Sequence, residues 1–208
     1  MTQEFGKAFW EERYHHGHTA PGGHRPNPHL VSEAADLLPG TALDAGCGEG
    51  ADAIWLASNG WRVTAVDLSA TALARAREHA DTLDLANRID WTEADLSTWT
   101  PPAEQFDLVS THYVHLAGSL EDLFRRLAAA VAPGGTLLIV GHHPSNHQSS
   151  TAHPSSPGVH FTAEQIAADL DPDRWTIAVA ETRTRSVTAH DGHSTTLHDT
   201  VLRAHKRP

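Results

Sequence analysis

Short runs of apolar residues alternate along this chain with longer segments in which apolar residues recur every three or four positions. The short runs predict strands, and the longer segments have the period of helices that pack on one side. Five strands are predicted, at Ala42–Asp44, Arg62–Asp67, Ile89–Glu93, Leu108–His112 and Thr136–Gly141. Helices are predicted at Ala51–Asn59, Ser69–Leu83 and Leu120–Ala132, with Ser69 as an N-cap and Gly60 as a C-cap. This alternation is typical of an α/β fold with a doubly wound parallel sheet.

The last quarter of the chain has a different pattern. Thr162-Ala163-Glu164-Gln165 has the form of a capping box, which predicts a helix through about Leu170. Strands with alternating polar residues are predicted at Thr176–Thr188 and Thr195–Ala204, and Asp191-Gly192 between them suits a type I′ hairpin turn. We therefore expect seven strands, of which the last two form an antiparallel hairpin.

The segment 42–50 places a carboxylate, Asp44, at the end of a predicted strand and a glycine-rich turn directly after it. The turn contains three glycines at alternate positions, Gly46, Gly48 and Gly50. Such glycines let the backbone turn tightly and approach a ligand closely, so the turn predicts a nucleotide-type cofactor. With Ala51 and with Asp67 at the end of the next strand, the spacing also satisfies the dinucleotide pattern. Spacing alone does not separate the two kinds of cofactor.

The charge near the turn distinguishes the two kinds of cofactor better than spacing does. An ionised Asp44 near the two phosphates of a dinucleotide would cost roughly 4 kcal/mol per contact at an effective dielectric of about 20. S-adenosylmethionine (SAM) has no phosphate and carries a sulfonium and an α-ammonium, so Asp44 can hold positive charge while Asp67 accepts from the ribose hydroxyls. The segments 43–50 and 63–67 resemble the first two motifs of the class I SAM-dependent methyltransferases.

Later segments extend this resemblance in the order of that family. Residues 91–96 resemble its adenine-binding segment, 106–110 its fourth strand, and 127–140 its helix, Pro-Gly-Gly turn and fifth strand. The resemblance covers residues 41 to about 141 and implies a Rossmann-like seven-stranded sheet with helices on both faces and SAM as the cofactor. It also implies a set of cofactor-binding residues, namely Asp44, Gly46, Cys47, Gly48, Gly50, Asp67, Leu68, Asp95, Leu96, Thr111 and His112.

Composition favours a single domain with a small-molecule substrate. The chain has 208 residues, of which 39% are hydrophobic, which is enough for one sizeable core. No apolar run approaches the ~18 residues of a membrane span, and the first residues lack the features of a signal peptide, so we expect a cytoplasmic protein. A single cysteine, Cys47, cannot form an intramolecular disulfide, which suits a reducing compartment. The net charge of −11 has the wrong sign for nucleic acid. We expect a monomer or homodimer with no nucleic-acid or membrane partner.

Within that single domain, residues 1–208, four parts are expected. Residues 1–40 form an N-terminal helix and lid segment, and residues 41–141 form the SAM-binding core. A mobile loop rich in His, Ser and Pro follows at 142–160, and 161–208 form the C-terminal helix and hairpin.

Four aromatic residues mark the N-terminal part: Phe5, Phe9, Trp10 and Tyr14. On a helix they form one face, which either packs on the core or closes over the site as a lid. Residues 10–14 resemble the N-terminal segment of the tellurite-resistance and thiopurine methyltransferases, in which such a segment is a lid. In that interpretation Trp10 and Tyr14 lie on the substrate side, together with His142.

Several histidines are expected at the carboxyl edge of the sheet, in front of the sulfonium. A histidine with its ordinary pKa takes a proton from a hydroxyl, thiol or amine as the methyl group arrives, and His112, His115 and His143 are the candidates for this base. A hydrogen bond to protein or substrate is the alternative role for each of them. A zinc site made by His112, His115, His142 and His143 is a rival use, but the spacing is not that of a structural zinc site, and no metal is expected.

The sequence thus predicts a SAM-dependent methyltransferase that transfers a methyl group to an O, N or S atom of a small molecule and leaves S-adenosylhomocysteine. Two other classes stay open. An NAD(P)-dependent oxidoreductase would use the same glycine turn, although Asp44 and the lack of a Tyr-x-x-x-Lys pair after the fourth strand count against it. A non-catalytic SAM-binding protein would keep the first motifs and lose an accessible pocket.

Overall fold

A computed structural model of the protein describes residues 5–16, 25–148, 160–188 and 194–208. Its centre is one seven-stranded sheet, with strands β1 (Thr41–Ala45), β2 (Arg62–Asp67), β3 (Ile89–Glu93), β4 (Phe106–His112), β5 (Val131–His142), β6 (Trp175–Thr188) and β7 (Ser194–Lys206). The strand order is β3-β2-β1-β4-β5-β7-β6. Strands β1 to β5 run parallel, whereas β7 pairs antiparallel with both β5 and β6. The predicted doubly wound sheet with a C-terminal antiparallel hairpin is confirmed.

The described helices are α1 (Lys7–His15), α2 (Pro28–Ala34), α3 (Ala51–Ser58), α4 (Ala70–Thr82), α5 (Leu120–Ala130) and α6 (Ala163–Ala168). Short 3-10 turns lie at Ala86–Arg88 and Pro144–Gln148. Buried residues of α2, α3 and α4 pack on one face of the sheet, and those of α5 and α6 pack on the other. Among the described residues no helix is both long and apolar enough to cross a bilayer.

Two predicted caps are confirmed. The Ser69 side chain accepts from the Ala72 N–H, and Thr162 and Gln165 form the reciprocal capping box at the start of α6. Helix α3 ends one residue earlier than predicted, with Asn59 as its cap, and Gly60 follows in the left-handed region at φ +93°. The predicted turn at Asp191-Gly192 lies outside the described residues.

Several element boundaries differ from the prediction, most of all where α5 meets β5. Helix α5 ends at Ala130 instead of Ala132, and β5 begins at Val131 instead of Thr136. Pro133 disfavours a helical backbone at the residue before it, and Val131 pairs with Phe106 on β4, which begins two residues before the predicted Leu108. Helix α2 was not predicted, although Asn27, which accepts from the His29 N–H, and Pro28 at the first turn are ordinary helix-start signals.

Parallel strands end at one edge of a sheet, so β1, β2, β3, β4 and β5 bring their carboxyl ends together. Ligands of open α/β sheets bind in the crevice at this edge. The fold therefore places the segments after these strands around one space.

Candidate active site

The turn after β1 has a backbone that only glycine accommodates without strain. Gly46, Gly48 and Gly50 all have positive φ values, of +83°, +53° and +77°. A Cβ at Gly48 would lie 2.9 Å from the Tyr14 hydroxyl oxygen, and one at Gly50 would lie 2.5 Å from the Trp91 ring. The N–H of Gly46 donates to the Val66 carbonyl at 2.8 Å, which holds the turn against β2. The turn is therefore a rigid and narrow feature rather than a loose loop.

Asp67 at the end of β2 braces the same turn. Its carboxylate accepts from the Gly48 N–H at 2.8 Å and from the Ser69 N–H at 2.9 Å. Burial raises its pKa, against the opposing effect of these backbone donors. Each carboxylate oxygen has two lone pairs, so Asp67 keeps acceptor capacity for a pair of hydroxyl groups.

Asp44, near the end of β1, is the second acidic residue of the site. It lies beside Asp52, an aspartate that sequence reasoning missed, and beside His112. The His112 Nδ1 lies 2.7 Å from an Asp52 carboxylate oxygen, and the other oxygen of Asp52 accepts from the Asn27 N–H at 2.6 Å. The carboxylate of Asp44 lies next to this pair. Asp52 was missed because nothing in a helix-forming segment marks one acidic residue as the partner of a side chain 60 positions away.

Burial and charge shift the pKa values of this group in a consistent way. Asp44 is 2% exposed, and burial together with the negative charge of Asp52 raises its pKa to about 7. Burial of His112 acts to lower its pKa, but the charge of Asp52 and their hydrogen bond outweigh it and raise the pKa. The Asp52 carboxylate therefore holds a proton on Nδ1 and favours the charged imidazolium at His112.

Two buried atoms of this group have no hydrogen-bond partner within the described part of the chain. They are Oδ2 of Asp44 and Nε2 of His112. Asp44 Oδ2 is an acceptor, whereas His112 Nε2 accepts only in the neutral imidazole and donates in the imidazolium that the raised pKa favours. A buried acceptor without a partner is costly, and an ammonium group, with three N–H donors and a positive charge, satisfies Asp44. The α-ammonium of SAM therefore fits this position.

A metal ion fits the same group less well. Asp44, Asp52 and His112 offer ligand atoms within 4.8 Å of one another. However, the Asp52 carboxylate is already held by the imidazole and by the Asn27 N–H, so it orients His112 instead of offering a free ligand. The rival zinc set of His112, His115, His142 and His143 differs from this group, which contains His112 with two aspartates.

The remaining residues expected at the cofactor fall into two kinds. Leu96 is buried and lies 3.6 Å from the position of a Cβ at Gly46, so it packs beside the turn, whereas Asp95 is exposed and accepts from the Ser97 N–H. Leu68 is half-buried after β2. Thr111 is buried and its hydroxyl donates to the Ala45 carbonyl, so this hydroxyl braces β4 against β1.

Cys47 is also buried, and burial raises the pKa of its thiol well above the ordinary value. The neutral thiol is a small side chain between two glycines.

Helix α1 covers the glycine turn and does not enter the core. None of its residues is buried. The Glu11 carboxylate accepts from the Ala70 N–H at the start of α4 at 2.7 Å, and Lys7 pairs with Glu93 after β3. The hydroxyl of Tyr14 reaches Gly48, and burial and the nearby Asp67 charge raise the pKa of this phenol. This placement agrees with the lid interpretation of the aromatic face.

Aromatic rings continue from this helix across the carboxyl edge. The His115 ring lies 5.4 Å from Phe5 and 6.2 Å from Trp10, and 5.8 Å from His142. Burial and the nearby His115 lower the pKa of His142 to about 4. His143 has a different environment. Its ring Nδ1 lies 2.8 Å from the Ser145 hydroxyl, and its backbone N–H donates to the His198 carbonyl.

A buried aspartate on β7 anchors this edge. One oxygen of Asp199 accepts from the Tyr113 hydroxyl at 2.8 Å and from Arg185 Nε at 2.7 Å, and lies 3.2 Å from His29 Nε2. Tyr113 has a positive φ of +49°, a strained backbone for this residue type. Sequence reasoning missed all four residues of this network, because they come from four separate segments of the chain.

Comparison with known proteins agrees with the fold and the glycine turn. Residues 42–135 match the family described as "Methyltransferase domain". The chain is 34% identical over 144 residues to "Probable thiol methyltransferase 2" of Arabidopsis thaliana, a match that covers 66% of this chain and 63% of that protein. It is 34% identical over 148 residues to "Trans-aconitate 2-methyltransferase" of Paracidovorax citrulli, covering 69% of this chain and 51% of that protein.

The crystal structure of TehB from Haemophilus influenzae has the same fold, with a TM-score of 0.70 at 18% identity over 95% of this chain and 67% of that one. The chain spans less than two thirds of the length of the two curated relatives. What is shared is the β1 to β5 region with its cofactor turn, and the cofactor of these enzymes is SAM. By their fold, their motifs and these matches, residues 42–135 form a domain of the class I SAM-dependent methyltransferase superfamily.

Proposed function

We propose that the protein transfers a methyl group from SAM to an O, N or S atom of a small-molecule acceptor and leaves S-adenosylhomocysteine. The observation that carries this proposal is the unpartnered buried carboxylate oxygen Asp44 Oδ2 beside the glycine turn. It suits a ligand with an ammonium group. It is poorly placed for the diphosphate of a nicotinamide cofactor, since an anion there would face the carboxylates of Asp44 and Asp52.

The residues around the turn divide the work of binding. Asp67 accepts from the two ribose hydroxyls and also holds the turn through the Gly48 N–H. Asp44 holds the α-ammonium, and Asp52 orients the His112 imidazole beside it. Leu68 and Leu96 flank the adenine, and Asp95 accepts from its exocyclic amine. When bound, SAM supplies an electrophilic methyl group on a sulfonium.

On the acceptor side, the protein contributes mainly position and shelter from water. Methyl transfer is an in-line displacement, so a fixed approach of the nucleophile contributes most to the rate. Tyr14 and Trp10 on α1 form the lid over the turn, and Glu11 and Lys7 hold that helix in place. The lowered pKa keeps His142 neutral near neutral pH, so this ring adds no positive charge beside the sulfonium.

His115 is the histidine that we assign as the base for acceptors that must lose a proton. His112 is committed to Asp52 and lies beside Asp44. His142 is a weak base because its pKa is near 4, and His143 contacts Ser145. His115 lies between the lid rings and His142, which faces the space where an acceptor enters.

Calorimetry on the purified protein tests the proposal. We expect SAM and S-adenosylhomocysteine to bind in the micromolar range, and NAD and NADP to bind far more weakly. The Asp67→Ala variant should lose about 1.5–3 kcal/mol of binding free energy, the range for hydrogen bonds to a charged group. Asp90→Ala, an exposed aspartate on β3, is the matched control. Tighter binding of a nicotinamide cofactor would overturn the proposal.

Turnover separates an enzyme from a binding protein. The expected result with methyl-labelled SAM and a panel of phenols, thiols, amines and carboxylates is label transfer to at least one class. SAM binding without transfer to any of them would favour a non-catalytic SAM-binding protein.

A further inference from the structure

Six aromatic and imidazole rings form a continuous series across the carboxyl edge of the sheet. We call this series the ring row, and its members are Phe5, Trp10, Tyr113, His115, His142 and His160. Centroids of neighbouring rings lie 4.8–6.2 Å apart, at interplanar angles of 25–42°. Every ring of the row is half-buried, so each packs against its neighbours and still presents part of its surface.

The ring row joins four parts of the chain. Phe5 and Trp10 come from the lid segment, Tyr113 and His115 follow β4, His142 ends β5, and His160 precedes α6. His115 lies at the centre, in contact with the lid rings on one side and with His142 on the other. The exposed part of the row is therefore on the side of the site where the acceptor must approach.

Most formal charges described around the row are held by other protein groups. Arg185 lies over the Tyr113 ring at 5.3 Å, but its Nε donates to the buried carboxylate of Asp199. On α1, Lys7 pairs with Glu93 and Glu11 accepts from the Ala70 N–H, whereas Arg13 lies over the Trp10 ring at 6.0 Å. A ligand on the row would thus meet flat, polarisable faces and the neutral imidazole of His142, with one guanidinium at the Trp10 end.

We propose that the ring row is the acceptor-binding surface and that it takes a planar, uncharged aromatic or heteroaromatic molecule whose nucleophilic O, N or S belongs to the ring system. This assignment rests on the proposed function. Offset stacking on rings of this spacing stabilises another ring beyond the area that it buries. A carboxylate-rich acceptor would lose its hydration over the central rings of the row, which is costly, because Arg185 is held by Asp199 and Arg13 lies at the Trp10 end.

The reaction balances on such an acceptor. A bond forms between the ring-borne nucleophilic atom and the methyl carbon, the bond from that carbon to sulfur breaks, and the electron pair of the broken bond stays on sulfur. The proton of the O–H, N–H or S–H group goes to His115 and then to solvent. Imidazole edges of the row also offer hydrogen bonds to the heteroatoms of a flat ring.

Binding of matched probes, without turnover, tests the assignment. The protein, alone and saturated with S-adenosylhomocysteine, is titrated calorimetrically with naphthalen-1-ol and quinolin-4-ol. The comparison probes are 1-hydroxy-2-naphthoate, which adds one carboxylate to the same ring, decahydronaphthalen-1-ol, which has the same skeleton without a flat face, and trans-aconitate. We expect at least one planar uncharged probe to bind about tenfold more tightly than every comparison probe.

Ring-preserving and ring-removing variants locate the binding surface. The His115→Leu and His142→Leu variants should lose about tenfold in affinity for the planar probe, whereas His115→Phe and His142→Phe should lose much less, since they keep a flat face. His143→Leu changes a nearby histidine outside the row and should bind as wild type. Circular dichroism and S-adenosylhomocysteine affinity, measured on each variant, report separately on folding and on the cofactor site.

The outcomes are distinguishable. Equal or tighter binding of the carboxylate or saturated probes, no binding of any planar probe, or equal losses in the Leu and Phe variants would overturn the assignment of the ring row. Failure of S-adenosylhomocysteine to bind would instead overturn the proposed function, and the titrations of the protein alone would still decide whether the row binds flat rings.

Discussion

Replacing Asp44 by Asn should stabilise the protein without ligand while it weakens cofactor binding. Asp44 is 2% exposed, and its pKa is raised from 3.8 to about 7, chiefly by burial and then by the charge of Asp52. A gap of about three pH units corresponds to about 4 kcal/mol, which is the cost of ionising this carboxyl in the folded protein. Asn has nearly the same shape, keeps an oxygen to accept from the Ala53 N–H, and does not ionise.

The pH dependence gives this prediction a distinctive form. Because the pKa of Asp44 is higher in the folded state than in the unfolded state, the folded state binds the proton more tightly. The stabilisation that comes from protonated Asp44 is present below about pH 4 and is lost as the pH rises to about 7. The Asn variant should therefore match wild type near pH 4 and exceed it by up to about 4 kcal/mol above pH 7.

Urea denaturation of both proteins at several pH values from about 4 to 8 measures this difference. Asp90→Asn, an exposed aspartate on β3, is the control and should follow wild type throughout. S-adenosylhomocysteine should raise the stability of wild type at pH 8 and have much less effect on Asp44→Asn, because the variant lacks the charge that holds the ammonium. Parallel curves for wild type and Asp44→Asn would show that the burial of an ionisable Asp44 does not carry this cost.

Three further outcomes are expected. Gly48→Ala should weaken S-adenosylhomocysteine binding by at least about tenfold and lower the melting temperature. The reason is that the new Cβ would lie 2.9 Å from the Tyr14 oxygen, on a residue whose φ is +53°. A variant with unchanged affinity would refute the close fit of lid and turn. Limited proteolysis should show that S-adenosylhomocysteine protects the segment around Trp10, and an unchanged cleavage pattern would contradict the lid. In an NMR titration, the His142 ring should change its charge near pH 4 and stay neutral from about pH 5 to 8, whereas a midpoint near 6.5 would refute its burial beside His115.

Features that depend on neighbouring residues were determined by the sequence alone. A glycine turn after a short strand, an N-cap at Ser69 and the capping box at Thr162 each involve groups a few positions apart, so their chemistry is visible in the order of residues. The alternation of strands and helices fixed the fold class for the same reason, because period and length are local properties. The roles that we propose for Asp44 and Asp67 follow from their positions near the ends of β1 and β2.

Only the tertiary structure decided which distant side chains meet. Asp52 holds His112 across 60 positions, and Asp199 gathers Tyr113 and Arg185 from separate segments. Such pairs depend on strand order and on the packing of helices against the sheet, and no local pattern encodes them. The start of β5 at Val131 likewise depends on its pairing with β4.

The proposed lid and the ring row also depend on which distant side chains meet in the tertiary structure. An aromatic stripe on a nine-residue helix predicts only that one face is covered, and the covering partner is set by the free energy of the whole fold. Here that partner is the edge of the site instead of the core, because the sheet is already covered by α2 to α6 and the rings of α1 find His115 at the carboxyl ends of the strands. The sequence thus determined the cofactor turn, whereas the shape and the charge of the surface that faces the acceptor arose only when the chain folded.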